Sequence, residues 1–152
     1  MDGIRRPFAG LWWCEPRTDG VCGKGYSRVW RTYHCVIPRI VEKSGRISQY
    51  VDEEILCDNL SDRKQLMEEQ SDVFIALPGG IGTIDEIFTI AAAHTIGYHH
   101  KLVILYNMKG FWNNLLTLLD NLQQLGMVRG NWRDYIAVAN NLDDIKEILA
   151  KS

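Results

Sequence analysis

The sequence predicts an α/β fold with a Rossmann-like parallel sheet and flanking helices. Three apolar runs, at residues 73–77, 101–106 and 135–139, lack polar alternation, as is typical of parallel strands covered on both faces. A helical pattern follows each run, and such alternation implies a parallel sheet. The first run ends in a Pro-Gly-Gly turn. Because parallel sheets bind ligands beyond the carboxyl ends of their strands, this turn is the first candidate site.

Composition limits the protein class. The chain has 152 residues, enough for one α/β domain with a core, and 46% of them are hydrophobic. A net charge of −2 argues against a nucleic-acid partner. Since no apolar run reaches membrane-span length and no signal peptide opens the chain, we expect a cytoplasmic protein without a membrane partner. The four cysteines lack zinc-ligand spacing and predict free thiols: Cys14, Cys22, Cys35 and Cys57.

The first half of the chain becomes regular only after residue 35. Residues 1–35 show no useful periodicity, and they hold three of the five tryptophans and three of the four cysteines, so we expect an irregular segment there. Residues 36–152 then form the predicted Rossmann-like domain. It begins with a strand halted by Pro38, a polar loop over 40–48 and a short strand over 49–56. A helix over 61–71 follows, capped by Ser61 or Asp62, with Leu66 and Met67 turned inward.

The second half contains three further helices. The pattern predicts a helix over 83–96, opened and capped by Thr83. Its apolar face is expected to contain Ile84, Ile87, Phe88, Ala91 and Thr95. A helix over 111–125 ends at Gly126, and a closing helix over 142–151 is capped by Asn140 or Asn141.

The turn after the first apolar run has the residue types of a phosphate site. Pro78 ends the strand because it has no N–H to donate. Three glycines allow positive φ and let a ligand approach the backbone: Gly79, Gly80 and Gly82. The start of the next helix forms an anion site, and Glu86 lies one helical turn inside it. The alternative is a glycine-rich turn that binds nothing.

Two motifs together carry a family resemblance. Asp62-Arg63-Lys64 opens one helix, and the sequence PGGIGTIDE over 78–86 opens the next. With this motif pair, residues 36–152 resemble the "lonely guy" family of cytokinin riboside 5′-monophosphate phosphoribohydrolases, formerly labelled lysine decarboxylase-like. The family signature is an Arg-Lys pair followed by PGGxGTxxE. The decarboxylase label has no support in the residues, since no lysine lies in a recognisable pyridoxal-phosphate setting.

The resemblance implies an activity and its site. The implied reaction hydrolyses the N-glycosidic bond of an N6-modified adenosine 5′-monophosphate, or of AMP itself, to free base and ribose 5-phosphate. It implies no cofactor, no metal and a homodimer. The catalytic positions are Arg63 and Glu86, and the substrate- and phosphate-binding positions are Lys64, Gly79, Gly80, Ile81, Gly82, Thr83 and Asp85. The chain departs from the family pattern at Ala91, Asp85 and Leu60-Ser61, where Thr, Glu and Met-His are usual.

The residue types suit this chemistry. A carboxylate such as Glu86 stabilises the oxocarbenium character that develops on the ribose, or activates water. The guanidinium of Arg63 holds ribose or phosphate oxygens in a fixed fork. A buried structural role is the alternative for Glu86, and a solvated helix start is the alternative for Arg63 and Lys64.

Other candidate residues predict no chemistry. The histidines His94, His99 and His100 have no cysteine or carboxylate partner at metal-ligand spacing, so we interpret them as surface or core residues. We interpret Trp112 and Trp132 as packing residues rather than ligand-stacking ones.

Residues 1–35 lack the family's upstream glycine motif, which is close to GGGxxGLMG. Codons compatible with residues 3–35 can encode a different sequence when the reading frame is shifted forward by one base from Gly3. That sequence contains GGANRGLMG and rejoins the chain at Val36. We therefore hypothesise that residues 1–35 are an out-of-frame translation; the alternative is a divergent N-terminus. The hypothesis predicts no regular strand–helix unit in this segment, an exposed sheet edge, and weak or no activity. A non-catalytic nucleotide or cofactor carrier and an inactive product are the alternative functions.

Overall fold

The computed structural model describes residues 9–12, 34–39 and 53–151. The chain divides into two compact units, one of residues 1–12 with 71–152 and one of residues 13–70. Both contain parallel strands with accompanying helices, which confirms the α/β, Rossmann-like fold class. The predicted loop over 40–48 lies outside the described residues, and the division at residue 35 stays a prediction.

The described elements follow the predicted order of strands and helices. The strands are β1 (Ala9–Trp12), β2 (His34–Pro38), β3 (Glu53–Cys57), β4 (Val73–Ala76), β5 (Leu102–Tyr106) and β6 (Ile136–Ala139). The helices are α1 (Leu60–Gln70), α2 (Ile81–Thr95), α3 (Asn113–Gln124) and α4 (Leu142–Lys151). Short 3-10 turns occupy Met108–Gly110 and Trp132–Asp134.

The larger unit contains a four-stranded parallel sheet in the order β1-β4-β5-β6. All four residues of β4 are buried, as the apolar run predicts. One face of the sheet packs against α4 in a cluster of Val73, Ile75, Ile104, Ala139 and Ile145. On the other face, Phe74, Ala76 and Val103 lie against Ile87 and Ile90 of α2. Burial on both faces explains why β4 shows no polar alternation.

Strand β1 differs from our expectation for residues 1–35. Ala9–Trp12 pairs in parallel with β4, so that edge of β4 is covered. A four-residue strand is too short for periodicity to reveal it, and an edge strand needs only an extended backbone to complete its hydrogen bonds. Residues 13–33, where the helix of a strand–helix unit would lie, are outside the described part of the chain.

The helix ends in this unit follow simple backbone rules. Gly126, with φ 71°, ends α3 in a Schellman motif, in which Gly126 N–H bonds Gln123 C=O and Met127 N–H bonds Leu122 C=O. The predicted Gly126 stop is therefore confirmed. Asn141 caps α4 by accepting bonds from the N–H groups of Asp143 and Asp144.

The smaller unit pairs β2 and β3 in parallel and adds α1. The strand that ends at Pro38 is confirmed, and β3 ends one residue after the predicted short strand. Cys35 and Cys57 are buried and form no disulfide, while Cys14 and Cys22 lie outside the described residues. In the part of the chain that the structure describes, every helix is too short or too polar to span a membrane.

Candidate functional site

The turn after β4 leads directly into α2. Leu77, Pro78 and Gly79 are half-buried, and the helix begins at Ile81, two residues before the predicted start. Gly80 is the N-cap residue, with φ −92° and ψ −151°. Thr83 is therefore not the cap, contrary to the prediction. The helix starts earlier because the extended backbone of Gly80 already permits the first bond, from Ile84 N–H to Gly80 C=O at 3.1 Å.

The glycines of the turn provide space rather than an unusual backbone conformation. Among the described residues, positive φ occurs at Gly97, Gly110, Gly126, Gly130 and Lys109, none of which lies in the turn. The expectation of positive φ there is therefore wrong. A Cβ added at Gly80 or Gly82 would meet no atom of the described residues within 4 Å. The backbone is thus open to a ligand at both positions, as the close-approach argument predicts.

The first turn of α2 has no side-chain cap. Gly80 provides no capping oxygen, and the first turn contains no acidic residue. The leading N–H groups of a helix have no partner within it, and they favour an anion. Thr83 lies in this turn with only 1% of its surface exposed, and its Oγ1 makes no hydrogen bond in the described structure. A buried hydroxyl without a partner is costly, so this end of α2 has the features of a site for a polar ligand.

Glu86 lies on the sheet-facing side of α2. It is 6% exposed and lines a small cavity, of about 10 Å³, that is otherwise apolar. The other lining residues are Phe74, Ala76, Ile87, Ile90 and Val103. A carboxylate is an uncommon choice for a packing position, because burial removes it from water and the lost solvation must be compensated.

The predicted apolar face of α2 is partly wrong. Its buried residues are Thr83, Glu86, Ile87, Ile90, Ala91 and Ala93, whereas Ile84, Phe88 and Thr95 are half-buried. Hydrophobic periodicity cannot assign Thr83 and Glu86 to the buried side, because it treats polar residues as exposed. Of the other predicted binding residues on α2, Ile81 and Asp85 are exposed.

In the smaller unit, α1 is capped by Asn59, and not by Ser61 or Asp62 as predicted. Asn59 Oδ1 accepts bonds from Ser61 N–H at 2.8 Å and Asp62 N–H at 3.0 Å, and its Nδ2 donates to the Asp62 carboxylate at 2.9 Å. Leu66 and Met67 of this helix are half-buried. Our sequence analysis missed Asn59, although an Asn placed three residues before an Asp at a helix start is itself a capping signal.

Arg63 and Lys64 follow in the first turns of α1, and both are half-buried. The Nε of Arg63 donates to the carbonyl of Val36 in β2 at 3.2 Å. Burial raises the pKa of the Cys57 thiol, and the charge of Arg63 opposes this shift. The guanidinium is thus held at the β2–β3 sheet rather than left as a solvated helix start.

The histidines and tryptophans behave as packing residues. The His94 ring lies 5.5 Å from that of Tyr135 and 5.6 Å from that of His100. The described residues contain no group of three or more His, Cys, Asp or Glu arranged to hold a metal ion. Trp112 and Trp132 are 2% and 1% exposed, in keeping with the packing interpretation.

Comparison with known proteins identifies the family. The family model described as possible lysine decarboxylase matches residues 19–149. The chain belongs to this family. The match begins inside residues 1–35, so the family similarity extends into the segment that we expected not to match. The family model is named after a decarboxylase, whereas the relatives below have the names of hydrolases.

Three relatives within the family illustrate this. A cytokinin riboside 5′-monophosphate phosphoribohydrolase of Mycobacterium tuberculosis (strain ATCC 25618 / H37Rv) is 29% identical over 87% of this chain and 81% of its own length. A second relative is LOGL3 of Oryza sativa subsp. japonica, a probable cytokinin riboside 5′-monophosphate phosphoribohydrolase. It is 35% identical over 75% of this chain and 54% of its own length. The cytokinin riboside 5′-monophosphate phosphoribohydrolase LOG2 of Arabidopsis thaliana is 33% identical over 75% of this chain and 54% of its own length. The chain thus spans about half the length of the plant relatives.

Proposed function

We propose that this chain hydrolyses the N-glycosidic bond of a nucleoside 5′-monophosphate and releases free base and ribose 5-phosphate. The substrate class is N6-modified adenosine 5′-monophosphate, with AMP as a simpler member. The names of the relatives support this reaction. The observation that carries the proposal is the buried carboxylate of Glu86, just over one turn inside an uncapped helix start.

The 5′-phosphate is proposed to bind at the start of α2. The open backbone at Gly80 and Gly82 admits an anion, and the leading N–H groups of the helix attract it. The buried Thr83 hydroxyl, which lacks a partner in the described structure, would donate to a phosphate oxygen. Ile81, Gly79 and Asp85 complete the proposed lining, since they belong to the same motif.

The two charged residues carry the proposed chemistry. Departure of the base leaves positive charge on the ribose. A carboxylate stabilises this charge, or acts as a general base for the water that attacks the ribose carbon. Glu86 has this role. Arg63 holds substrate oxygens through the nitrogens of a guanidinium whose Nε is already anchored to Val36, and Lys64 adds a second cation.

We propose two further properties of this protein. The family resemblance favours a homodimer without a cofactor. The buried cysteines Cys35 and Cys57, which form no disulfide, favour a reducing compartment such as the cytoplasm.

The test is a direct assay of base release. The purified chain is incubated with AMP and, separately, with an N6-alkylated AMP, and free base and ribose 5-phosphate are quantified by chromatography. We expect both products in equal amounts. Binding of either nucleotide without base release would contradict the proposal and identify a carrier. Release of adenosine instead of adenine would identify a phosphatase.

A further inference from the structure

The first turn of α1 carries a second structural feature that bears on Arg63. Asn59 precedes the helix, and its Oδ1 accepts two N–H bonds, at 2.8 and 3.0 Å. Its Nδ2 holds Asp62, the residue immediately before Arg63. All three bonds of the Asn59 side chain therefore fix the turn from which the Arg63 side chain leaves the helix.

Arg63 itself makes two hydrogen bonds, one from its backbone and one from its guanidinium group. Its backbone N–H donates to the Asn59 carbonyl at 3.1 Å, the first i→i−4 bond of the helix. Its Nε donates to Val36 in β2 at 3.2 Å. An arginine side chain has many rotamers, and the free energy that its ordering costs is offset here by contacts at both ends. The cap fixes the Cα, and the strand carbonyl fixes the plane of the guanidinium.

We propose that Asn59 is a positioning residue for Arg63, one that holds the guanidinium in its working orientation without touching substrate. This inference rests on the proposed function of Arg63 as a catalytic residue. Loss of the cap frays the first turn of a helix, and a displacement of about 1 Å costs an oriented catalytic group much of its rate. Asn59 therefore acts on turnover through geometry.

The chain offers a matched control for this idea. Asn141 caps α4 with the same chemistry, because its Oδ1 accepts from the N–H groups two and three residues later at 2.8 and 2.9 Å. No proposed site residue lies on α4. Asn59→Ala and Asn141→Ala thus remove equivalent caps, and only the first should affect Arg63.

The experiment measures Arg63 directly and then turnover. In the full chain, NMR follows hydrogen exchange of the Arg63 Nε–H, which we expect to accelerate in Asn59→Ala and to remain unchanged in Asn141→Ala. The kcat for base release should fall about tenfold in Asn59→Ala, with KM changed less than twofold. Asn59→Ser, which restores a capping oxygen, should recover most of the rate.

The outcomes separate this inference from the proposed function. Unchanged Nε–H exchange in Asn59→Ala would overturn the positioning role, as would an equal loss of kcat in Asn141→Ala. Arg63→Ala should itself reduce kcat strongly, and adding Asn59→Ala to it should reduce kcat no further. If Arg63→Ala keeps the full rate, the proposed role of Arg63 fails, while the exchange measurement still decides whether Asn59 positions it.

Discussion

The starts of α1 and α2 differ in how their first N–H groups are satisfied. The α1 start is closed by the Asn59 side chain and has Asp62 in its first turn. The α2 start follows Gly80, has no side-chain cap and no acidic residue in its first turn. The α4 start resembles that of α1, with Asn141 as cap and two acids in its first turn.

Caps and first-turn acids stabilise a helix start, whereas their absence leaves its N–H groups open to a ligand. An Asn or Asp cap stabilises a helix start by about 0.5–2 kcal/mol over alanine and by a few tenths of that unit over glycine, and an acid in the first turn adds to this. The start of α2 lacks both, although the helix has fifteen residues and packs on the sheet. A helix start that lacks these stabilising groups, and that buries a hydroxyl without a partner, is better suited to receive an anionic ligand.

The largest expected effect tests whether Glu86, near the open start of α2, takes part in catalysis. Glu86→Gln preserves side-chain volume at a 6% exposed position but removes the charge. We expect kcat to fall by about 10²–10⁴-fold, with little change in melting temperature. Steady-state kinetics with AMP measures the first and thermal unfolding the second. Glu147→Gln, an exposed acid of α4, is the control and should keep the parent rate. A parent-like kcat in Glu86→Gln would leave the carboxylate a structural role only.

A smaller effect is expected when the α2 start is made to resemble the other two. Gly80→Asp places a capping carboxylate where an added Cβ meets none of the residues that the structure describes and where φ is −92°, so the fold should accept it. We expect KM to rise about tenfold or more, because the carboxylate occupies the N–H groups and repels phosphate. The melting temperature should stay equal or rise.

Gly80→Ala separates the effect of the added side-chain carbon from the effect of the capping carboxylate, since it adds the carbon atom without a capping oxygen. If Gly80→Asp raises stability while KM remains at the parent value, phosphate does not bind at this helix start. A loss of stability in both variants would instead indicate that the space around Gly80 is needed for folding.

The smallest effect concerns a closed start. Asp144 accepts a bond from the Asn140 backbone N–H at 2.8 Å, and this bond holds the pKa of its carboxyl below the ordinary value of 3.8. A depressed pKa contributes stability above pH 3.8, and this stability is lost as the pH falls through the pKa of the folded state. Asp144→Asn should therefore be less stable than the parent at pH 7. Urea unfolding at pH 7 and near pH 3 should show this difference shrinking on acidification, with base release at pH 7 unaffected. A difference independent of pH would show that the charge is not its source.

Much of the fold could be predicted from the sequence. The apolar runs over 73–77, 101–106 and 135–139 predicted three strands of the four-stranded sheet. Gly126 predicted the end of α3, and the start of α4 was predicted with Asn140 or Asn141 as its cap, of which Asn141 is the cap. These features depend on local chemistry: a strand buried on both faces must be apolar, and a helix stop or cap needs a particular residue. Strand β1 escaped prediction because four residues carry too little pattern.

The candidate site was predictable in its residue types but not in its geometry. The motif identified the glycine turn and Glu86, yet it suggested positive φ and a Thr83 cap, both of which are wrong. Asn59 was overlooked because Ser61 and Asp62 are equally good caps by type, and only the position of the helix start selects among them.

By itself, the sequence determined the alternation of buried strands and helices, together with the paired Arg-Lys and PGGxGTxxE motifs. Both follow from residue type and order along the chain. Only the tertiary structure decided that Thr83 and Glu86 are buried, that Gly80 leaves the α2 start uncapped, and that Arg63 is anchored to Val36. Burial and long-range hydrogen bonds depend on which segments pack together, and no local pattern contains that information.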